Sequence, residues 1–235
     1  MLKTFKNLIP IGVVACLAVI GVSPASATLT GDVNVTPGST VFPGDVTGQA
    51  PGTLLADTVQ AFSITTAVGL MTGTIESAVY QEAGGTLDFY YQVTNTSADG
   101  DSFTRNADSN FGGWLTNVAS RTDGASLTGT TFANSSDVPD TADRSSTNSG
   151  AVVGFNFNAF GTAAEIPVGG KSAVLVIDTN ATQWKVGTAS AIDSGTATVP
   201  GYEPTSTVPE PGSIVMLGSA LLGLAALGRR RFANK

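Results

Sequence analysis

Residues 71–94 read MTGTIESAVYQEAGGTLDFYYQVT, and this stretch decides the fold. From Met71 to Gln81, the residues Ile75, Ser77 and Val79 fall on one side, and Glu76, Ala78 and Tyr80 on the other. Further on, Leu87, Phe89, Tyr91 and Val93 alternate with Asp88, Tyr90, Gln92 and Thr94. A period of two belongs to a strand, because successive side chains leave a pleated backbone on opposite faces. Ala83-Gly84-Gly85 joins the two runs, and glycine accepts the positive φ that a tight hairpin turn requires. The stretch therefore predicts an antiparallel hairpin.

The same alternation recurs outward from the hairpin. Val153, Phe155 and Phe157 alternate with Gly154, Asn156 and Asn158. Ala173, Leu175 and Ile177 alternate with Val174, Val176 and Asp178, after a turn at Pro167-Val168-Gly169-Gly170. Weaker strand candidates lie at 58–66, 112–119, 126–133, 184–189 and 196–199. No 11-residue window of the body carries a helical apolar stripe, and 47 of residues 28–207 are Ser or Thr. That composition favours strands and turns over helices. We expect an all-β body, an antiparallel β-sandwich of roughly eight or nine strands over residues 58–199. A closed barrel is the alternative. An outer-membrane barrel fits less well, because few strands reach the needed ~10 residues with a lipid-facing side. Residues 28–57 read as a Gly/Pro/Thr-rich arm, 134–150 as a long polar loop and 200–208 as a linker.

Composition excludes several chemistries. The 235-residue chain has no His and one Cys, Cys16, so Ser-His-Asp and Cys-His nucleophilic sites, intrachain disulfides and thiolate metal sites have no residues to form them. With 42% hydrophobic and 12% charged residues, the chain is not of the disordered class. Between Thr28 and Val208 there are five basic and 17 acidic residues, a net −12. Such a body repels nucleic-acid phosphate and anionic lipid, and it tolerates cations and neutral sugars.

The two ends read differently. Residues 1–27 have a basic start at Lys3 and Lys6, an apolar run from Leu8 to Val22, and Ala25-Ser26-Ala27 as a small-x-small site, with Ala25 and Ala27 at the cut. This is the pattern of a signal helix removed by signal peptidase. An uncleaved anchor is one rival; acylation at Cys16 within Val13-Val14-Ala15-Cys16 is another, although the apolar run continues past the Cys. At the other end, Val208-Pro209-Glu210-Pro211 precedes 17 uncharged residues, 212–228, and then Arg229, Arg230 and Arg231. A helix of that length is about 26 Å long, near the lower limit for a transmembrane helix. The arginines act as a basic stop on the cytoplasmic side. Pro209 and Pro211 fix φ and bias their predecessors to extended backbone, so this peptide stands outside the helix.

The order of Val208-Pro209-Glu210-Pro211-Gly212-Ser213, apolar helix and terminal arginines resembles the PEP-CTERM sorting signal of bacterial exported proteins, over about residues 207–235. The resemblance implies a partner, a membrane-embedded cysteine transpeptidase called exosortase, and cleavage near Pro209-Glu210-Pro211. It also implies transfer of the body towards the cell surface, in bacteria that often make exopolysaccharide. Residues 86–95 and 176–181 resemble, more weakly, strands of the bodies found ahead of such signals, and that likeness carries no activity.

Candidate chemistry in the body is sparse. Asp99 and Asp101, and the run Asn106, Asp108 and Asn110, place oxygen donors at alternating positions as calcium loops do, without the Gly and Glu of a full loop. Asp137, Asp140 and Asp143 form another acidic stretch. Glu76, Glu82 and Asp88 are candidates for a glycosidase-type carboxylate pair. Trp114 and Trp184, with Tyr80, Tyr90 and Phe111, are candidates for a sugar-stacking face. Turn chemistry and core packing account for most of these residues. The sequence therefore predicts a non-enzymatic, cofactor-free exported protein of the cell surface or extracellular matrix. A carbohydrate- or calcium-binding adhesive module and a permanently anchored periplasmic protein are the alternatives.

Overall fold

The structure, a computed structural model, describes residues 29–98, 101–159 and 165–206. Its strands are β1 (Val33–Asn34), β2 (Thr40–Val41), β3 (Gly44–Asp45), β4 (Thr53–Thr65), β5 (Leu70–Gln81), β6 (Leu87–Asn95), β7 (Arg105–Asp108), β8 (Thr116–Arg121), β9 (Thr141–Arg144), β10 (Val153–Asn156), β11 (Val174–Thr179), β12 (Trp184–Ile192) and β13 (Thr196–Pro204). The hairpin read from the sequence is β5–β6, in register Val79↔Phe89 and Gln81↔Leu87. Gly85 in its turn has φ 87°.

Two sheets form. One runs β1-β8-β11-β6-β5-β4, with β3 beside β8, and the other β13-β12-β7-β10-β9-β2. All pairings are antiparallel except β3 with β8. The sheets share a core in which Ile75, Phe89, Tyr91, Val118 and Ile177 of the first meet Ala142, Val153, Phe155 and Ala189 of the second. The first sheet is also covered on its other face. There Leu29, Val46, Leu127 and Phe132 pack on Ala78, Tyr80, Tyr90, Val174 and Val176. Strands β6 and β11 are consequently buried on both sides.

This architecture corrects several expectations. Among the described residues there are 13 strands rather than eight or nine. The extra ones are two-residue strands, or polar ones such as RNAD and TADR, which carry no apolar alternation to read. Strand β9 lies inside the stretch expected to be loop. Residues 126–133 hold no strand; a single 3-10 turn at Gly124–Ser126 leads into coil that lays Leu127 and Phe132 on the sheet. The arm is integrated into the body. Val33 pairs with Val118, Thr40 with Asp143 and Gly44 with Ala119, and Val35 and Val46 are fully buried. Strand β13 runs on to Pro204, into the expected linker.

Among the described residues no helix is long and apolar enough to cross a membrane. The expected signal helix, 1–27, and transmembrane helix, 212–228, lie outside them.

Candidate functional site

The described chain ends beside a groove. Strands β12 and β13 form a long hairpin in register Trp184↔Pro204, and Thr205 N donates to Gln183 O at 2.9 Å. A groove of about 330 Å3 opens there, lined by Asn110, Gly112, Gly113, Trp114, Lys185 and Pro204. Lys185 is exposed, and its Nζ lies 3.0 Å from Glu203 Oε1. Trp114 is half-buried on the groove wall. Trp184 is also half-buried; its ring meets Tyr202 edge-on at 5.0 Å and packs against the core.

One buried cation holds the Trp114 wall in place. Arg144 donates to four backbone carbonyls: Phe111 O at 2.7 Å, Gly150 O at 2.8 Å, Trp114 O at 3.0 Å and Val35 O at 3.1 Å. Its residue is only 5% exposed, and desolvation pulls its pKa below the ordinary arginine value. Nothing in the local sequence TADR distinguished this arginine from a surface charge.

The predicted oxygen run does not assemble. Asn106 and Asp108 point into the sandwich and are fully buried. Both Asp108 oxygens lack a partner, and burial pushes its pKa well above the usual carboxylate range. Asn110 instead donates to Glu203 Oε2 at 2.5 Å. Asp101 is half-buried, with its carbonyl taken by Asn95 Nδ2 at 2.9 Å, and Asp99 lies outside the described residues. The second acidic stretch also divides. Asp143 binds Arg105 at 2.5 Å, whereas Asp137 and Asp140 line an open groove of about 530 Å3 with Glu165.

The carboxylate pair proposed on the hairpin is not in a cleft. Glu76 accepts from Thr131 N at 2.6 Å and Thr131 Oγ1 at 2.7 Å. Asp88 is fully buried and pairs in register with Asp178. The aromatic face is likewise dismantled. Phe111 is core, edge-on to Phe89 at 5.5 Å, and Tyr80 packs on Tyr90 at 4.7 Å in the second core. Of the stacking candidates, Trp114 lines the groove beside β12 and β13. Asp178 was missed, although the sequence places it on the same face as Val174 and Val176, which is a signal for burial.

Residues 207–231 match the PEP-CTERM protein-sorting motif. No curated protein and no solved structure matches the chain. The match contains Val208, Pro209, Glu210 and Pro211 and the basic stop Arg229, Arg230 and Arg231; these, like Ala25 and Ala27, lie outside the described residues. The motif implies export and membrane-associated sorting, with the exosortase processing machinery as partner. The chain thus carries a PEP-CTERM sorting signal joined directly to an all-β body.

Proposed function

We propose that this chain is a non-enzymatic exported protein, cut by signal peptidase after Ala27 and by an exosortase-type transpeptidase near Val208-Pro209-Glu210-Pro211, whose body serves a structural role at the cell surface or in the extracellular polysaccharide. One observation carries the reading. The last described strand, β13, ends at Pro204, and the hydrogen bond from Thr205 N to Gln183 O lies two residues before the matched segment begins at 207. Cutting within 208–211 therefore leaves every described strand intact. A rigid Pro-Glu-Pro peptide also suits an enzyme cleft, because little backbone entropy is lost when it is held.

Intact-mass spectrometry of the native protein, from inner membrane, outer membrane and medium of its own host, tests this. The expected product starts at Thr28, ends between Pro209 and Gly212, and lies outside the inner membrane. A mass extending to Lys235 in the inner membrane overturns the reading in favour of a permanently anchored protein. The Trp114 groove supports a second, compatible reading, in which the body holds exopolysaccharide by stacking a sugar on the half-buried indole.

A further inference from the structure

The outer face of the first sheet carries a row of polar side chains set by strand register. Asn34 lies opposite Asn117, Asn117 opposite Asp178, Asp178 opposite Asp88, and Asp88 opposite Tyr80. Side chains of such partners stand ~4.5–5.5 Å apart at Cβ. Donors run along the row from one end: Asn34 Nδ2 gives to Asn117 Oδ1 at 3.0 Å, and Asn117 Nδ2 to Asp178 Oδ2 at 3.4 Å. Beyond Asp178 the donors stop. Asp88 is fully buried, and neither of its carboxylate oxygens has a partner. At the hairpin end beside it, Glu82 N donates to Thr86 O at 2.9 Å, and Glu82 Oε1 and Thr86 Oγ1 are also buried without partners.

We propose that Asp88 and Asp178, joined by Glu82 and the Thr86 hydroxyl, bind a calcium-like divalent cation on this face. Two facing carboxylates are both acceptors, so a proton, a donor such as water, or a cation is needed between them. Every group offered is an oxygen, which suits a hard cation and its flexible shell of six to eight ligands. The groups around Asp88 are Tyr80 and Glu82 from the β5 side, Asp178 from β11 and Tyr90 on its own strand. The nearby basic group, Arg121, is already paired with Asp123 at 2.8 Å. Among the described residues no three acidic groups yet converge on one point. Glu82 therefore has to swing onto the pair, and the Gly84-Gly85 turn beside it allows that movement. Burial, and then Asp178 and Glu82, push the Asp88 pKa well above its usual range.

The test uses the full chain in detergent, stripped with chelator and titrated with Tb3+, then with Ca2+. Tyr80 and Tyr90 flank the site and sensitise bound terbium on tyrosine excitation. We expect saturable emission displaced by Ca2+, a Ca2+-dependent rise in Tm, and a loss of affinity of about tenfold or more in both Asp88→Asn and Asp178→Asn. Asp137→Asn, in the open acidic groove, should change neither readout. Emission that survives both variants means binding to surface carboxylates and overturns the proposal. Absence of emission and of a Ca2+-dependent Tm shift overturns it as well, and assigns the pair to a shared proton. The outcome is independent of how the C-terminal signal is processed.

Discussion

Replacing Arg144 by Met keeps the aliphatic stem and removes every donor of the guanidinium. Four carbonyls, of Val35, Phe111, Trp114 and Gly150, then face a site without donors. A hydrogen bond to a charged group contributes about 1.5–3 kcal/mol net, and an unpaired buried acceptor costs a similar amount. Against this stands the desolvation of the guanidinium, several kcal/mol, which the variant no longer bears. The balance is a loss of about 3–5 kcal/mol, a large part of the ~5–15 kcal/mol that holds a typical domain folded. For a body of this size that corresponds to a fall in Tm of about 10 °C. Urea and thermal unfolding of wild type, Arg144→Met and Arg144→Lys give the numbers. Lysine keeps the charge but offers its donors from a single nitrogen, so it should fall between the other two. The loss should be visible locally as faster hydrogen exchange at Val35 N, which bonds Thr116 O at 3.0 Å at the arm junction. An Arg144→Met variant within about 1 kcal/mol of wild type would refute the reasoning.

Four further outcomes are expected. Burial raises the pKa of Asp108, and burial followed by Glu76 raises Asp57 to about 6, so the folded state binds these protons more tightly than the unfolded chain. Their stabilisation is complete below the unfolded value of about 3.9 and is lost as pH rises through the folded values, at up to ~1.4 kcal/mol per pH unit for each group. In chelator, urea midpoints should fall from pH 5 to pH 8, and Asp108→Asn should flatten that slope; parallel slopes in the two proteins contradict the assignment. In the opposite sense, hydrogen bonding from Arg121 lowers Asp123 to about 2, so its contribution disappears only as pH falls towards that value, which acid titration of Asp123→Asn will show. A Cβ at Gly44 would lie 1.6 Å from Gly31 O, so Gly44→Ala should detach β3 and bring protease cleavage to the arm, whereas a loose arm would ignore the change. Trp114→Ala should weaken retention on host exopolysaccharide with little change in Tm; equal retention removes the sugar-stacking reading.

The hairpin β5–β6, the strand at 174–179 and the all-β class were legible because apolar alternation is a local signal. So was the sorting signal, whose order of Pro-Glu-Pro, apolar run and arginines is contiguous in the chain. Strands β7 and β9 were not legible, since RNAD and TADR are strands by virtue of pairing, with β10 between them and with β12 and β2 on their outer sides. The arm was misread for the same reason: Val35 and Val46 are isolated apolar residues whose burial depends on contacts far away in the chain.

The candidate sites divide along the same line. Trp114 was singled out from its Gly-Gly turn, but the groove it lines needs Lys185 and Pro204 from another hairpin. The run Asn106, Asp108, Asn110 has a ligand-like spacing, yet a strand aims its alternate residues into the core. The burial of Asp88 was not legible, because alternation names two faces without saying whether the second is covered. The sequence alone determined the class of the body and the signal at its end, both written in short-range patterns. Only the tertiary structure decided which carboxylates are buried and paired, because that depends on the segments 29–49 and 124–133 folding over the sheet, a long-range packing event that local periodicity does not encode.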